Sequence, residues 1–87
     1  MNSKLRLNIT LELEDSTIAN VIRAALSPET RIKLRGIKVK IEGADKYVHV
    51  SIEAPDYSSL RAATNSIIRL TQMIINVLNT IRGLRAT

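Results

Sequence analysis

A strict two-residue alternation of apolar and polar side chains limits the folds that this chain can adopt. Over Lys4–Glu14 every odd position holds Leu or Ile, and every even position holds a charged or polar residue. This is the period of a β-strand that is buried on one face and solvated on the other. The same alternation recurs over Ile37–Ile41 and Tyr47–Ala54. We therefore predict three strands that form a sheet with a single apolar face.

Glycine and turn residues set the limits of the later strands. The stretch Arg31–Gly36 alternates in the opposite phase to Ile37–Ile41. Because a one-residue slip would move the apolar side chains to the wrong face, we start the second strand near Ile37 and read Gly36 as a bulge or the strand start. Residues 43–45, Gly-Ala-Asp, are typical of a compact hairpin loop before the third strand.

A short helix is predicted between the first two strands. Asp15 and Ser16 are candidate N-caps, and apolar residues then recur at helical spacing. Because Pro28 disfavours helical angles at the residue before it, we expect the helix to end at Ser27. A turn is predicted from Pro28 to Thr30.

A long helix is predicted after the third strand. Asp56 is its expected N-cap, and Gly83 is taken as its C-terminal stop, a length of about 26 residues. Apolar residues cover about half of its circumference, whereas one packed face needs roughly 100°. The central stripe consists of Leu60, Thr64, Ile67, Thr71, Ile74, Leu78 and Ile81. We expect surplus apolar surface on this helix and an overhang beyond the sheet that includes Val77 and Leu84.

The element order predicts an α+β fold with the succession β-α-β-β-α. A right-handed crossover from the first strand leaves a gap that the third strand fills, antiparallel to both neighbours. We therefore predict a two-layer sandwich, with a three-stranded antiparallel sheet in the order 1-3-2 and both helices on one face. The 87 residues are enough for a single domain, residues 1–87.

Composition argues against most kinds of catalytic and metal site. The chain has no Cys and one His, so thiolate metal sites and cysteine nucleophiles are excluded. His49 falls at an outward position of the third strand, where a solvated side chain is expected. We predict no catalytic, cofactor-binding or metal-binding residues and no enzymatic activity. No apolar stretch is long enough to span a bilayer, so we expect a cytoplasmic protein without membrane contact.

Basic residues are concentrated before and within the second strand. The net charge of +5 at pH 7 favours a polyanionic partner. Such a stripe can follow a phosphate backbone, and Lys38 and Lys40 are expected on the polar face of the sheet. Alternatively, it is a solvated strand edge whose lysines discourage aggregation. The five cations are Arg31, Lys33, Arg35, Lys38 and Lys40.

The polar side of the long helix is rich in amides. Between Asp56 and Arg82 its only charged residues are Arg61 and Arg69. A solvated helix face usually mixes Glu and Lys, so this side is typical of one that contacts another molecule. The alternative is an ordinary core helix with an Asn-rich exposed side. The amides are Asn65, Gln72, Asn76 and Asn79.

A family resemblance lies in the segment from Val39 to Leu70. The long helix opens with Ser-Leu-Arg-Ala at residues 59–62, followed by Asn65, Ser66 and Arg69, after a strand that ends in Glu-Ala at residues 53–54. In these residues the chain resembles the Pcc-type small subunit of the KEOPS complex, which makes threonylcarbamoyladenosine in transfer RNA. The first strand and the short helix match as well. A close paralog of that subunit would share these features.

The resemblance implies a non-catalytic scaffold subunit that dimerises, docks the threonylcarbamoyl-transferase subunit through its helices and assists tRNA binding. The dimer is either a homodimer or a heterodimer with a paralog. Arg61 and Arg69 match family positions and, with Lys38 and Lys40, are the predicted RNA-binding residues. The alternative is a free-standing RNA-binding module that uses the basic strand. The docking role falls on the apolar surplus of the long helix, namely Ile67, Ile74, Ile75, Leu78 and Ile81.

Overall fold

The computed structural model describes residues 4–28 and 36–86 and contains three strands and two helices. The strands are β1 (Leu5–Glu12), β2 (Lys38–Glu42) and β3 (Tyr47–Ala54), and the helices are α1 (Ser16–Leu26) and α2 (Tyr57–Ala86). The predicted α+β succession is confirmed. Most of the turn predicted from Pro28 to Thr30, and the cations Arg31, Lys33 and Arg35, lie outside the described residues.

The three strands form one antiparallel sheet in the predicted order, β1-β3-β2. Leu7 of β1 and Val39 of β2 both lie opposite Ile52 of β3. Because side chains alternate between faces along each strand, this register brings the apolar residues of all three strands to the same face. The alternation seen in the sequence therefore defines the inner face of the sheet.

The core lies between the inner face of the sheet and the two helices. Ile22 and Leu26 of α1 are fully buried against Val48, Val50 and Ile52 of the central strand. The edge strands contribute half-buried side chains to the same cluster. The opposite face of the sheet is polar and exposed, as predicted.

Both helices begin at the predicted aspartates. The Asp15 carboxylate accepts a hydrogen bond from the backbone N–H of Ile18 at 2.9 Å, and the Asp56 carboxylate accepts one from Ser59 N–H at 2.8 Å. Each bond satisfies a backbone donor that the first helical turn leaves without a partner. Along the described chain, neither helix is apolar enough over a sufficient length to cross a bilayer.

The predicted stop of the long helix at Gly83 is wrong. Helix α2 continues through Gly83 to Ala86 and is 30 residues long rather than about 26. A single Gly inside a helix costs only about 1 kcal/mol relative to Ala, and no Pro follows it to prevent continuation. The first strand is also shorter than its alternation: β1 ends at Glu12, although Leu13 N–H still donates to the Lys46 carbonyl at 2.8 Å, in register with the strand.

The β2–β3 hairpin depends on a glycine. Gly43 has φ +150°, and a Cβ atom there would lie 2.2 Å from the carbonyl oxygen of Tyr47. Only glycine fits this position without a rearrangement of the backbone. Asp45 adopts φ +52°, and Tyr47 N–H donates to the Ala44 carbonyl at 3.0 Å to close the turn. The guanidinium of Arg23 donates to the Tyr47 carbonyl at 2.8 Å and so ties α1 to the hairpin.

Helix α2 extends beyond the sheet. Its 30 residues span about 45 Å at 1.5 Å per residue, whereas the eight residues of β3 span about 26 Å. No described side chain after Leu78 packs against the core. The radius of gyration is 14.5 Å, compared with about 12 Å for a compact chain of this length. The molecule is elongated because the end of α2 projects from it.

Candidate functional site

An apolar groove separates α1 from the middle of α2. We call it the helix groove; it has a volume of about 280 Å³ and is lined only by apolar side chains. Met73 is 57% exposed and Val77 is 58% exposed, although both are large hydrophobic residues. The lining residues are Val21, Ala25, Met73, Ile74, Val77 and Leu78. An apolar depression of this kind fits hydrophobic side chains of another protein.

A second apolar depression lies on the other side of α2, next to β1. We call it the strand-side groove; its volume is about 190 Å³, and it includes Ile9, Leu11, Ile68 and Ile75. Ile68 is exposed there. Since β1 is at one end of the sheet, its outer edge has no strand partner within the described chain. The groove therefore combines apolar side chains with backbone groups that can pair with a further strand.

The structure distributes the five predicted docking residues over four environments. Ile67 is 3% exposed and belongs to the core, so it offers no surface to a partner. Ile74 and Leu78 are half-buried in the helix groove, and Ile75 is half-buried in the strand-side groove. Ile81 is exposed on the projecting end of α2. Whether the four accessible residues bind a partner stays a prediction.

The helix groove includes residues that the sequence analysis missed. Met73 lies outside the central stripe of the long helix, and Val21 belongs to the short helix, on which no docking residue was predicted. Met73 lies four residues before Val77, and this spacing was the signal that could have identified them as neighbours on one side of α2.

The outer face of the sheet, which we call the polar sheet face, is organised in cross-strand rows. The Arg6 guanidinium lies 3.5 Å from the Glu53 carboxylate. The Ser51 hydroxyl donates to Asn8 Oδ1 at 2.8 Å. Thr10 Oγ1 lies 3.0 Å from Nδ1 of His49. These pairs follow directly from the antiparallel register of β1 and β3.

Lys40 and Glu42 form an ion pair along β2, with Nζ 2.7 Å from Oε1. The hydrogen bond from Lys40 lowers the pKa of Glu42, and the positive charge of the lysine adds to this effect. The same hydrogen bond and charge raise the pKa of Lys40 above its ordinary value. Both side chains are exposed, so the pair is screened by solvent.

A shallow depression of about 430 Å³ lies at one end of the polar sheet face. Arg6, Lys38 and Lys40 line it together with Asn8, Ser51 and Glu53. Lys38 and Lys40 are thus on the open face of the sheet, as predicted. Because Arg6 and Lys40 are each next to a carboxylate, the positive potential of the depression is moderate.

Arg61 and Arg69 lie on a different side of the molecule from Lys38 and Lys40. Both arginines are exposed on α2, which packs against the inner face of the sheet. Arg69 follows the buried Ile67 by two residues, a rotation of about 200° that directs it away from the core. The four predicted RNA-binding residues therefore do not form one surface.

The described residues offer no obvious metal site. Among these residues, no three His, Asp or Glu side chains lie close enough together to hold a metal ion.

Comparisons with known proteins give one family and one fold. Residues 6–79 match the family model for Pcc1, described as "Transcription factor Pcc1". The chain is similar to a chain in the crystal structure of the binary complex Gon7-Pcc1, with a TM-score of 0.79 and 21% sequence identity over 88% of this chain and 95% of that chain. At this identity the likeness shows a shared fold. No curated protein matches the chain in sequence.

Proposed function

The chain belongs to the Pcc1 family of KEOPS subunits, and from this premise we propose that it is a non-catalytic dimerisation and scaffold subunit of a KEOPS-like tRNA-modifying complex. In this role it docks the threonylcarbamoyl-transferase subunit through its helices and assists tRNA binding. The observation that carries the proposal is the pair of apolar grooves on either side of α2. Two separate grooves fit two protein partners, which is the requirement for a subunit that connects others.

The helix groove is the proposed docking site for the transferase subunit. Both of its walls are helical, and its lining is apolar throughout. An amphipathic helix of the partner can place its apolar side chains between α1 and α2. Covering Met73 and Val77 would remove two large exposed side chains from water. Full burial of such a side chain contributes roughly 1.5 to 3 kcal/mol of favourable free energy.

The strand-side groove is the proposed contact with a second copy of this chain. Pairing of two β1 strands across a two-fold axis would join the two sheets. It would also give hydrogen-bond partners to the backbone N–H and C=O groups on the outer edge of β1 in each copy. The same approach would cover Ile68 and Ile75. The accessible surface of the chain is 6311 Å², whereas a compact monomer of its mass has about 5,100 Å². This excess favours association with another chain.

The proposed tRNA contact uses two sides of the molecule. Arg61 and Arg69 are exposed on α2, and Lys38 and Lys40 on the polar sheet face. Since the two pairs face different directions, they would contact separate parts of a large RNA or two different copies of it. The contact is electrostatic in the main and should weaken as the salt concentration rises.

Val77→Asp tests the docking proposal. The substitution places a charge in the helix groove without disturbing a core side chain, so binding of the purified transferase subunit should be lost in calorimetry at high salt. Asn76→Asp adds the same charge on the adjacent exposed position and should leave binding unchanged. Equal binding by the two variants would contradict docking at the helix groove.

Ile68→Asp tests the dimer proposal. The variant should sediment as a monomer at concentrations where the unmodified chain is a dimer, and it should still bind the transferase subunit. A monomeric unmodified chain that pairs only with a paralog would replace the homodimer by a heterodimer. A chain that stays monomeric with every KEOPS subunit would contradict the scaffold role.

A free-standing RNA-binding module is the second candidate function. The depression next to Lys38 and Lys40 on the polar sheet face favours it. Such a module needs no protein partner, whereas the scaffold should retain the transferase subunit at salt concentrations that abolish RNA binding. A pull-down at high salt therefore separates the two functions.

A further inference from the structure

Two aromatic rings are stacked in parallel planes on the polar sheet face. The rings of Tyr47 and His49 are parallel to within 4°, and their centroids are 6.4 Å apart. Both side chains are exposed, and Lys46 Nζ lies 5.8 Å from the centroid of the Tyr47 ring. A flat group that lies against one ring is therefore correctly oriented for the other. The hydrogen-bonding contact between Thr10 and His49 helps to fix this orientation.

The ring pair and the basic depression occupy opposite ends of the same face. Tyr47 and Glu53 mark the two ends along β3, about 20 Å apart at the rise of an extended strand. Asn8 and Ser51 lie between them and present an amide and a hydroxyl. Along this line the face offers stacking first, hydrogen bonding next and positive charge last.

We propose that the polar sheet face binds a short single-stranded segment of RNA, with one base against Tyr47 and His49 and the phosphates of nucleotides further along the strand near Lys40 and Lys38. This inference rests on the proposed RNA contact and assigns it a stacking site. Base stacking on exposed aromatic side chains of a sheet is a recurrent way to bind unpaired nucleotides. Neither Tyr47 nor His49 was among the predicted RNA-binding residues.

The carboxylates on this face favour unpaired RNA over a duplex. Glu42 and Glu53 lie close to Lys40 and Arg6, so the face cannot attract phosphates as strongly as a purely basic surface. A duplex presents mainly its backbone and keeps its bases stacked on each other. A single strand can place a base on the rings and gain affinity that does not depend on charge. A peptide of acidic residues has no comparable flat group and would gain no affinity from the rings.

The chain itself supplies the spectroscopic probe. His49 is the only histidine and Tyr47 is one of only two tyrosines, so their ring signals can be followed individually by proton NMR. On addition of a short oligoadenylate, the signals of Tyr47 and His49 should move upfield because of the ring current of the stacked base. Tyr57 lies at the start of α2, away from the ring pair, and its side chain is 67% exposed, compared with 37% for Tyr47. The signals of Tyr57 therefore serve as the internal control and should not move.

Affinity for the labelled oligoadenylate is measured by fluorescence anisotropy on the full chain. Tyr47→Ala and His49→Ala should each weaken binding by about 5- to 150-fold, as expected for loss of one stacking contact. Tyr47→Phe retains the ring and should bind normally, which would show that the ring and not the hydroxyl makes the contact. Tyr57→Ala is the matched control and should have no effect.

Several outcomes would overturn the inference. One is binding of the oligoadenylate without movement of the Tyr47 and His49 signals. Another is equal affinity for the free oligoadenylate and for its duplex with oligouridylate. A third is equal movement of the two ring signals when oligoglutamate is added instead. If tRNA binds but the oligoadenylate does not, only the stacking site is refuted. If neither binds, the tRNA contact of the proposed function fails as well. Transferase docking is measured separately and is independent of all these results.

Discussion

The polar sheet face and the flanks of α2 are both exposed, but they differ in how their side chains are satisfied. On the polar sheet face, polar groups pair with one another across the strands, as in Asn8 with Ser51 and Thr10 with His49. On the flanks of α2, Met73 and Val77 meet solvent with side chains that cannot form hydrogen bonds. The polar groups of the first surface have hydrogen-bond partners within the chain, whereas the apolar side chains of the second leave water only when another molecule covers them.

This difference determines which surface is suited to permanent assembly. Apolar side chains in water lose roughly 1.5 to 3 kcal/mol each relative to full burial, which is a large fraction of the stability of a small domain. The chain therefore gains stability when the grooves of α2 are covered. The polar sheet face gains little from permanent burial, so it fits a ligand that binds and leaves.

Leu78→Asp is expected to have the strongest effect on binding at the helix groove. A charge at this half-buried position of the helix groove should weaken transferase binding by at least about 30-fold, corresponding to ~2 kcal/mol for a central contact. Calorimetry gives the affinity, and circular dichroism checks that the variant is folded. Leu78→Met conserves the volume and should cost less than about 1.5 kcal/mol. Similar binding by both variants would mean that the groove is not an interface.

Gly43→Ala should destabilise the hairpin that carries the polar sheet face. Its new Cβ atom would lie 2.2 Å from the Tyr47 carbonyl oxygen, at a φ that alanine rarely adopts. We expect a loss of at least about 2 kcal/mol, or a melting temperature lower by roughly 10 °C at constant protein concentration. Gly83→Ala meets no atom within 4 Å in α2 and should instead stabilise the helix by up to about 1 kcal/mol. A neutral Gly43→Ala would show that the loop can rearrange.

Lys38→Ala combined with Lys40→Ala tests whether the polar sheet face binds RNA independently of the helix groove. The double variant should keep transferase binding unchanged while its RNA affinity falls. The slope of log affinity against log salt should decrease in magnitude by about 2, one for each lost phosphate contact. Titrations at several salt concentrations measure this slope. Loss of transferase binding with intact RNA binding would mean that the two surfaces have been exchanged.

The smallest expected effect concerns the ion pair of Lys40 with Glu42. The pKa of Glu42 is lowered in the folded chain, so the pair's contribution is present above the unfolded pKa and is lost as the pH falls through the folded pKa. The raised pKa of Lys40 sets the upper limit, because its contribution is lost as the pH rises through that value. Lys40→Ala should return the pKa of Glu42 towards its ordinary value in a carbon-13 NMR titration. An unchanged pKa would mean that the pair does not persist in solution.

Much of the fold could be predicted because the signals are local. Alternation in residues 4–14 and 47–54 identified β1 and β3, and the crossover rule placed β3 in the centre of the sheet. The helix starts at Asp15 and Asp56 were also readable, since capping depends on a few neighbouring residues. The end of α2 could not be predicted from Gly83, because one exposed glycine costs little compared with the free energy gained by continuing the helix.

The candidate site was less predictable because it depends on tertiary arrangement. The burial of Ile67 follows from the direction in which α2 crosses the sheet, which the apolar stripe alone does not define. Lys38 and Lys40 were grouped with Arg61 and Arg69 by charge, although the sheet separates the two pairs. The parallel rings of Tyr47 and His49 became visible only with side-chain orientations.

The two edge strands of the sheet differ in length and charge, and this difference limits how many chains can join. If two chains join through β1, the sheet they share ends on both sides in β2, which has only five residues and carries Lys38, Lys40 and Glu42. Such a short, charged strand is a poor template for another copy. Growth would therefore terminate at two chains instead of propagating into a filament, and the complex would contain a fixed number of subunits without any additional capping factor.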